Sequence, residues 1–268
     1  MSIGDSFSQQ ENRGYLNYIA EFASSFTFIN LHRVAEETPE HLFMRLCEEN
    51  DKIPNIVIVE SVERSFIGRL CSLNFNKKYS LKEDVNNQIE ILPSTSKKKT
   101  FVAWAQEYYK KKVGIDNPVG HYPLSQPLFS CKNHEQDLFF INDKGYGDYY
   151  IDSDLDIPDS SSIALAQLKL DSLFHYAACH NVELFYLVAA DKYDVYQEYI
   201  TVAHPQKNTL EDFSKHFKGN THFLNSKDFI LPAIHNGEKD MYYCDDTHWS
   251  TKSAKLVGEE LVRRICTE

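Results

Sequence analysis

Three residues in two distant segments of the chain could together do nucleophilic chemistry. Ser6 sits in the turn-like run Gly4-Asp5-Ser6-Phe7, directly after a short apolar start. Near the other end, "YYCDDTHWS" carries Asp246 and His248, two residues apart. A serine hydroxyl is a poor nucleophile until a base takes its proton. An imidazole serves as that base when a carboxylate fixes its tautomer and stabilises its charged form. The order Ser6, Asp246, His248 is one of several in which such groups occur along a chain. Asp245 is the competing carboxylate, or a cap for the following turn.

These groups need a scaffold that brings opposite ends of the chain together. Apolar runs of strand length alternate with helical patterns, which predicts βαβ units and a mainly parallel sheet. Only Met1, Ser2 and Ile3 precede the serine turn, so the first strand reads as truncated. "YLNYIAEFASSF" has helical spacing and "FTFINL" suits a second strand. Thr38 with Pro39 opens a helix through "EHLFMRLCEEN". "NIVIVE" and "VELFYLVAA" are buried strands, and "THFLN" is a shorter one. "SSSIALAQLKLDSLFHYAACHN" and "TKSAKLVGEELVRRI" are helices. Between them, residues from about 74 to 96 are polar and irregular, and "TFVAWAQEYYKKK" is an amphipathic helix. Residues 113–159, rich in Gly, Pro, Asp and Tyr, form an insertion over one edge of the sheet. Tyr146, Tyr149 and Tyr150 either line a glycan groove or pack the loop on itself.

In a parallel sheet, ligands bind at the carboxyl ends of the strands. Ser6, the segment "ESVER" (Glu60 to Arg64) and "AADKYDVY" are all expected there. Arg64 either holds a substrate carboxylate or sugar hydroxyl, or pairs with Glu60 or Glu63 at the strand end. Lys192 and Tyr193 either support the site or belong to a solvated loop. Trp249 is either a sugar platform or a core aromatic.

Composition narrows the function classes. The net charge of −11 argues against a nucleic-acid surface, and Lys97-Lys98-Lys99 reads as a solvated loop. The six cysteines include no C-x-x-C pair, and no H-x-x-x-H pair occurs, so neither a metal site nor a cofactor is signalled. No run has the ~20 apolar residues of a membrane helix, and no secretory leader precedes the serine turn, which taken alone suggests the cytoplasm.

"IGDSFS" together with "DDTHWS" resembles the SGNH hydrolase superfamily, the GDSL-type esterases. The likeness is greatest to the SGNH-like O-acetyltransferase domains of the alginate O-acetylation proteins. "VIVESVERSF" (Val57 to Phe66) is similar to that branch's E-x-x-E-R segment, and "LVAADKYDVYQEYI" (Leu187 to Ile200) to its strand with a following Lys and Tyr. In those domains the Asp-His pair precedes the serine, whereas here it follows, as in ordinary SGNH esterases. Their glycine and asparagine oxyanion blocks are not recognisable.

The resemblance implies a single SGNH-like domain over residues 1–268. Its fold would be a three-layer α/β/α sandwich around a mainly parallel, flavodoxin-like sheet. It implies a catalytic triad of Ser6, Asp246 and His248, with the Ser6 N–H in the oxyanion hole. Arg64, Lys192, Tyr193 and Trp249 are then candidate oxyanion or substrate-binding groups. The implied reaction is O-acetyl transfer or O-acetyl ester hydrolysis on a polysaccharide, in the periplasm or cell envelope. A membrane-bound acyltransferase is the implied acetyl donor. A catalytically inactive carbohydrate-binding or assembly subunit is the alternative.

Overall fold

The computed structural model describes residues 1–10, 14–23, 26–30, 38–49, 54–76, 89–92, 145–146, 149–150, 154, 156–200, 204–243 and 247–267. Its strands are β1 (Ser2–Gly4), β2 (Phe26–Asn30), β3 (Ile56–Val62), β4 (Ile89–Leu92), β5 (Gly145–Tyr146), β6 (Tyr149–Tyr150), β7 (Glu183–Ala189) and β8 (Phe223–Asn225). The helices are α1 (Leu16–Ala20), α2 (Pro39–Glu49), α3 (Glu63–Ser72), α4 (Ser160–Cys179), α5 (Lys192–Tyr196), α6 (Thr209–His216), α7 (Lys227–His235) and α8 (Thr251–Cys266). None of the described helices is long and apolar enough to cross a membrane.

Six strands form one sheet in the order β4-β2-β1-β3-β7-β8, while β5 and β6 pair separately. All neighbours in the large sheet run parallel except β2 and β4. β1 is short but central, hydrogen-bonded to β2 on one side and β3 on the other. β3 and β7 are buried almost throughout, as a parallel sheet covered on both faces requires.

The register shows which helices cover which face. Ile3, Val59 and Tyr186 lie side by side across β1, β3 and β7. On that face the Tyr186 hydroxyl reaches Glu40 of α2 at 2.6 Å, and Arg69 of α3 donates to the Ser61 hydroxyl at 2.9 Å. Ser2 and Glu60 point the other way, toward Tyr15, which immediately precedes α1. α8 packs on α1, and Gly258 permits it: a Cβ there would come within 2.6 Å of Tyr18 Cβ and 2.9 Å of the Tyr15 carbonyl. The result is a mixed α/β fold in three layers, α/β/α.

Local chemistry sets the element ends. The Thr38 hydroxyl accepts the His41 N–H, with Pro39 at the first helical position of α2. Asp159 caps α4 through the Ser162 N–H at 2.8 Å. Asn181, with φ of 57°, ends α4 while the Val182 N–H returns to the Ala177 carbonyl at 3.0 Å. α4 buries Ala166, Leu170, Leu173 and Ala177, a helical stripe facing the core.

Two expectations are corrected. The segment Glu60 to Arg64 does not lie beyond the end of its strand: β3 runs to Val62, so Glu60 and Ser61 are strand residues and Glu63 opens α3. Within the stretch expected to be irregular, Ile89–Leu92 forms the antiparallel strand β4. The helix expected at "TFVAWAQEYYKKK" and the run Lys97-Lys98-Lys99 lie outside the described residues. So does most of the 113–159 insertion, apart from β5, β6, Asp154 and residues 156–159.

Candidate active site at the carboxyl rim of the sheet

The chain leaves β1 at Gly4 and enters a tight 3-10 turn, Ser6–Gln9. Asp5 caps this turn: its Oδ1 accepts the Ser6 N–H at 2.6 Å and its Oδ2 pairs with Arg69 at 2.6 Å. Burial opposes ionisation of Asp5, but Arg69 and the Ser6 N–H outweigh it and hold the carboxyl below its ordinary range. The Asp5 N–H donates to Glu60 Oε2 at 2.8 Å, as does the Ser8 hydroxyl. Gly4 is required by this crowding, because a Cβ there would fall 1.8 Å from Ser8 Oγ and 2.8 Å from Glu60 Oε2.

The segment carrying His248 docks directly on this turn. The rings of Phe7 and His248 are 4.8 Å apart between centroids, and Phe7 meets Trp249 edge-on at 4.7 Å. Gln10 Nε2 donates to the Trp249 carbonyl at 3.0 Å. The segment is held from behind as well. Tyr242 pairs with Trp249 in an antiparallel bridge, and the Tyr243 N–H donates to the His248 carbonyl at 3.1 Å. The Tyr242 hydroxyl reaches the Ala190 carbonyl at 2.7 Å, and Lys192 Nζ reaches the Tyr243 carbonyl at 2.7 Å. The end of β7 therefore fixes the backbone on which His248 is mounted. Ser253 on α8 adds a bond of 2.6 Å to the Met241 carbonyl.

Ser6 and His248 are thus on adjoining segments, although among the described residues no hydrogen bond joins them. Asp246 and Asp245 lie outside the described residues. The Ser6 N–H, expected as an oxyanion donor, is engaged by Asp5 in this conformation.

The remaining candidates are used internally. Trp249 is fully buried, packed between Phe7 and Tyr15. Lys192 is fully buried on its carbonyl partner, and Tyr193 donates its hydroxyl to the Pro205 carbonyl. Arg64 pairs with neither Glu60 nor Glu63, the partners anticipated for it. It pairs with Asp191, at the end of β7, and with Asp154 at 3.2 Å. Lys207 joins the same cluster, 2.9 Å from Glu63 and 3.4 Å from Asp191. Burial pulls against the charge of Lys207, but Glu63 and Asp191 outweigh it and hold the ammonium above its ordinary range. Beside this cluster lies a cleft of about 340 Å³ between α3 and the start of α4, walled by Arg64, Ile67, Gly68, Ile157 and Lys207.

The sequence offered no signal for Asp154, Asp191 and Lys207 as one cluster, because their partners are tens of residues away. Arg69 was equally silent; an Asp adjacent to a turn serine does not reveal which cation will hold it.

Comparison of the chain with family models, curated proteins and solved structures finds no match.

Proposed function

We propose that the protein is a serine-dependent acyl-transfer catalyst, an O-acetyltransferase or O-acetylesterase acting on a cell-envelope or exported polysaccharide. One observation carries the reading: Phe7, the residue after Ser6, packs in a tilted contact against the ring of His248. The candidate nucleophile and base, 242 residues apart in sequence (248 − 6), therefore approach the same rim. Strand order supports it too. The five parallel strands run β2-β1-β3-β7-β8, the order of a flavodoxin-like sheet, and Ser6 leaves β1 at the β1/β3 switch point where such sheets bind ligands.

In the proposed reaction the Ser6 hydroxyl attacks the acetyl carbonyl while His248 takes its proton and Asp246 orients the imidazole. The tetrahedral intermediate collapses to acetyl-Ser6, and the leaving oxygen takes the proton from His248. Water or a sugar hydroxyl then gives its proton to His248 and attacks the acetyl group, and the Ser6 oxygen departs with that proton, restoring the free hydroxyl and the neutral imidazole. The Ser6 N–H can stabilise the oxyanion only once the Asp5 carboxylate releases it. The resemblance to the alginate O-acetylation domains supports a periplasmic or envelope setting and a membrane-bound acetyl donor.

Ser6→Ala is expected to abolish hydrolysis of p-nitrophenyl acetate and labelling by a fluorophosphonate probe, with the fold retained; His248→Ala should do the same. Turnover persisting in Ser6→Ala refutes the assignment. The engagement of the Ser6 N–H by Asp5 favours a second reading, a non-catalytic carbohydrate-binding subunit. Glycan binding indifferent to Ser6→Ala, with no labelling of the wild type, selects it.

A further inference from the structure

Glu60 is a fully buried carboxyl at the centre of the serine turn. Its Oε2 accepts both the Asp5 N–H and the Ser8 hydroxyl, each at 2.8 Å. The Ser8 hydroxyl lies 2.8 Å from the Tyr15 hydroxyl, which extends the network to the approach to α1. The other oxygen, Oε1, is buried and has no hydrogen-bond partner among the described residues.

That asymmetry separates the two protonation states. An ionised carboxyl there would have one oxygen well served and the other bare, in a site closed to water. A neutral acid keeps Oε2 as its acceptor and carries its proton on Oε1, exchanging an uncompensated buried charge for the smaller cost of one unmet O–H. The surrounding charges point the same way. Asp5, at the end of β1, is held ionised by Arg69 of α3, whose guanidinium bonds to Asp5 and Ser61 and not to Glu60. Tyr15 and Ser8 face Glu60 as neutral hydroxyls. Burial, and then the charge of Asp5, push the Glu60 carboxyl up to about 8, against the opposing pull of its hydrogen bonds and Arg69.

We infer that Glu60 is the positioning residue of the serine turn: as a neutral acid it gathers the Asp5 amide and the Ser8 hydroxyl on one oxygen, and its ionisation, by setting a second buried carboxylate charge against Asp5, loosens the turn that presents Ser6. The claim about Ser6 reactivity rests on the acyl-transfer reading; the claim that a neutral Glu60 holds the turn does not.

Glu60→Gln keeps an acceptor oxygen and cannot ionise, so it is the informative variant. Side-chain carboxyl NMR of the wild type should show Glu60 titrating near 8. A midpoint near the ordinary carboxylate value overturns the inference, and this measurement needs no variant to fold. Denaturant unfolding supplies the second test. The folded state retains a proton that the unfolded state releases at the ordinary value, so wild-type stability should fall relative to Glu60→Gln as pH rises between those two values. Parallel profiles for the two proteins overturn the inference. Third, the ratio of fluorophosphonate labelling rates, wild type over Glu60→Gln, should drop about tenfold between roughly pH 7 and 9, as the neutral fraction does. A constant ratio refutes positioning of Ser6. If neither protein labels at any pH, the acyl-transfer reading falls, while the titration and the stability profiles still decide whether a neutral Glu60 holds the turn.

Discussion

The ring of Phe7 lies 4.8 Å from that of His248 and 4.7 Å from that of Trp249, with Phe7 itself fully buried. One side chain thus joins the serine turn to the segment bearing the histidine.

Phe7→Ala should therefore do two things. Removing a fully buried phenyl ring costs about 3–5 kcal/mol, measurable as a lower denaturation midpoint. It should also slow fluorophosphonate labelling of Ser6 more than Phe7→Leu does, because leucine refills part of the space that separates the two segments.

Gly4 offers a test of the crowding behind the turn. Gly4→Ala places a methyl group 2.5 Å from Ser8 Cβ as well as 1.8 Å from its Oγ. Destabilisation is expected, and it should shrink in a Ser8→Ala background, which removes the Oγ, and further in Ser8→Gly, which removes the Cβ as well. A double-mutant cycle should give a coupling on the order of 0.5–3 kcal/mol; additive effects would show that the turn relaxes elsewhere.

Lys207 has a side chain only 2% exposed, between the carboxylates of Glu63 and Asp191. Lys207→Met leaves Glu63 buried without its cation, while Asp191 keeps Arg64; removing a buried partner in this way costs about 3–5 kcal/mol. Urea unfolding checks it. Adding Glu63→Gln to Lys207→Met should recover part of the loss, since it removes the stranded charge and keeps an acceptor for the Asp191 N–H.

Asp5 gives the acid limb of stability. Its carboxyl is held below the ordinary value of 3.8 in the folded state, so its contribution is fully present above that value and is lost as pH falls through the lower folded one. Asp5→Asn keeps an acceptor for the Ser6 N–H but has no such limb. Stability measured from neutral pH downward should fall more steeply in the wild type than in Asp5→Asn over that acidic window. Equal slopes would mean that Arg69 does not hold Asp5 ionised.

How far the sequence reveals this molecule depends on the range of each interaction. β3 and β7 are legible because a strand buried on both faces must be a continuous apolar run, and "IVIV" and "LFYLV" are that. The caps at Thr38 and Asp159 act within three residues, so they too can be read locally. β4 is hidden because a four-residue edge strand in polar surroundings has no distinguishing pattern. α3 is hidden for another reason: it opens on Glu63 and Arg64, charges that look like a solvated loop until their partners at 154, 191 and 207 are known. At the candidate site, the serine turn and the histidine segment can be picked out by residue type. The Glu60 anchor cannot, since it depends on a strand register.

The hydrogen bond from Gln10 to the Trp249 carbonyl closes a loop of 239 residues. During synthesis the serine turn is made long before the segment of His248 and Trp249 that packs on it, and waits for it. Contacts of such sequence separation are assembled slowly and late. β1, although central in the finished sheet, must remain unburied on that side until the histidine segment has been made, which leaves the growing chain vulnerable to aggregation while the candidate site is still half-built.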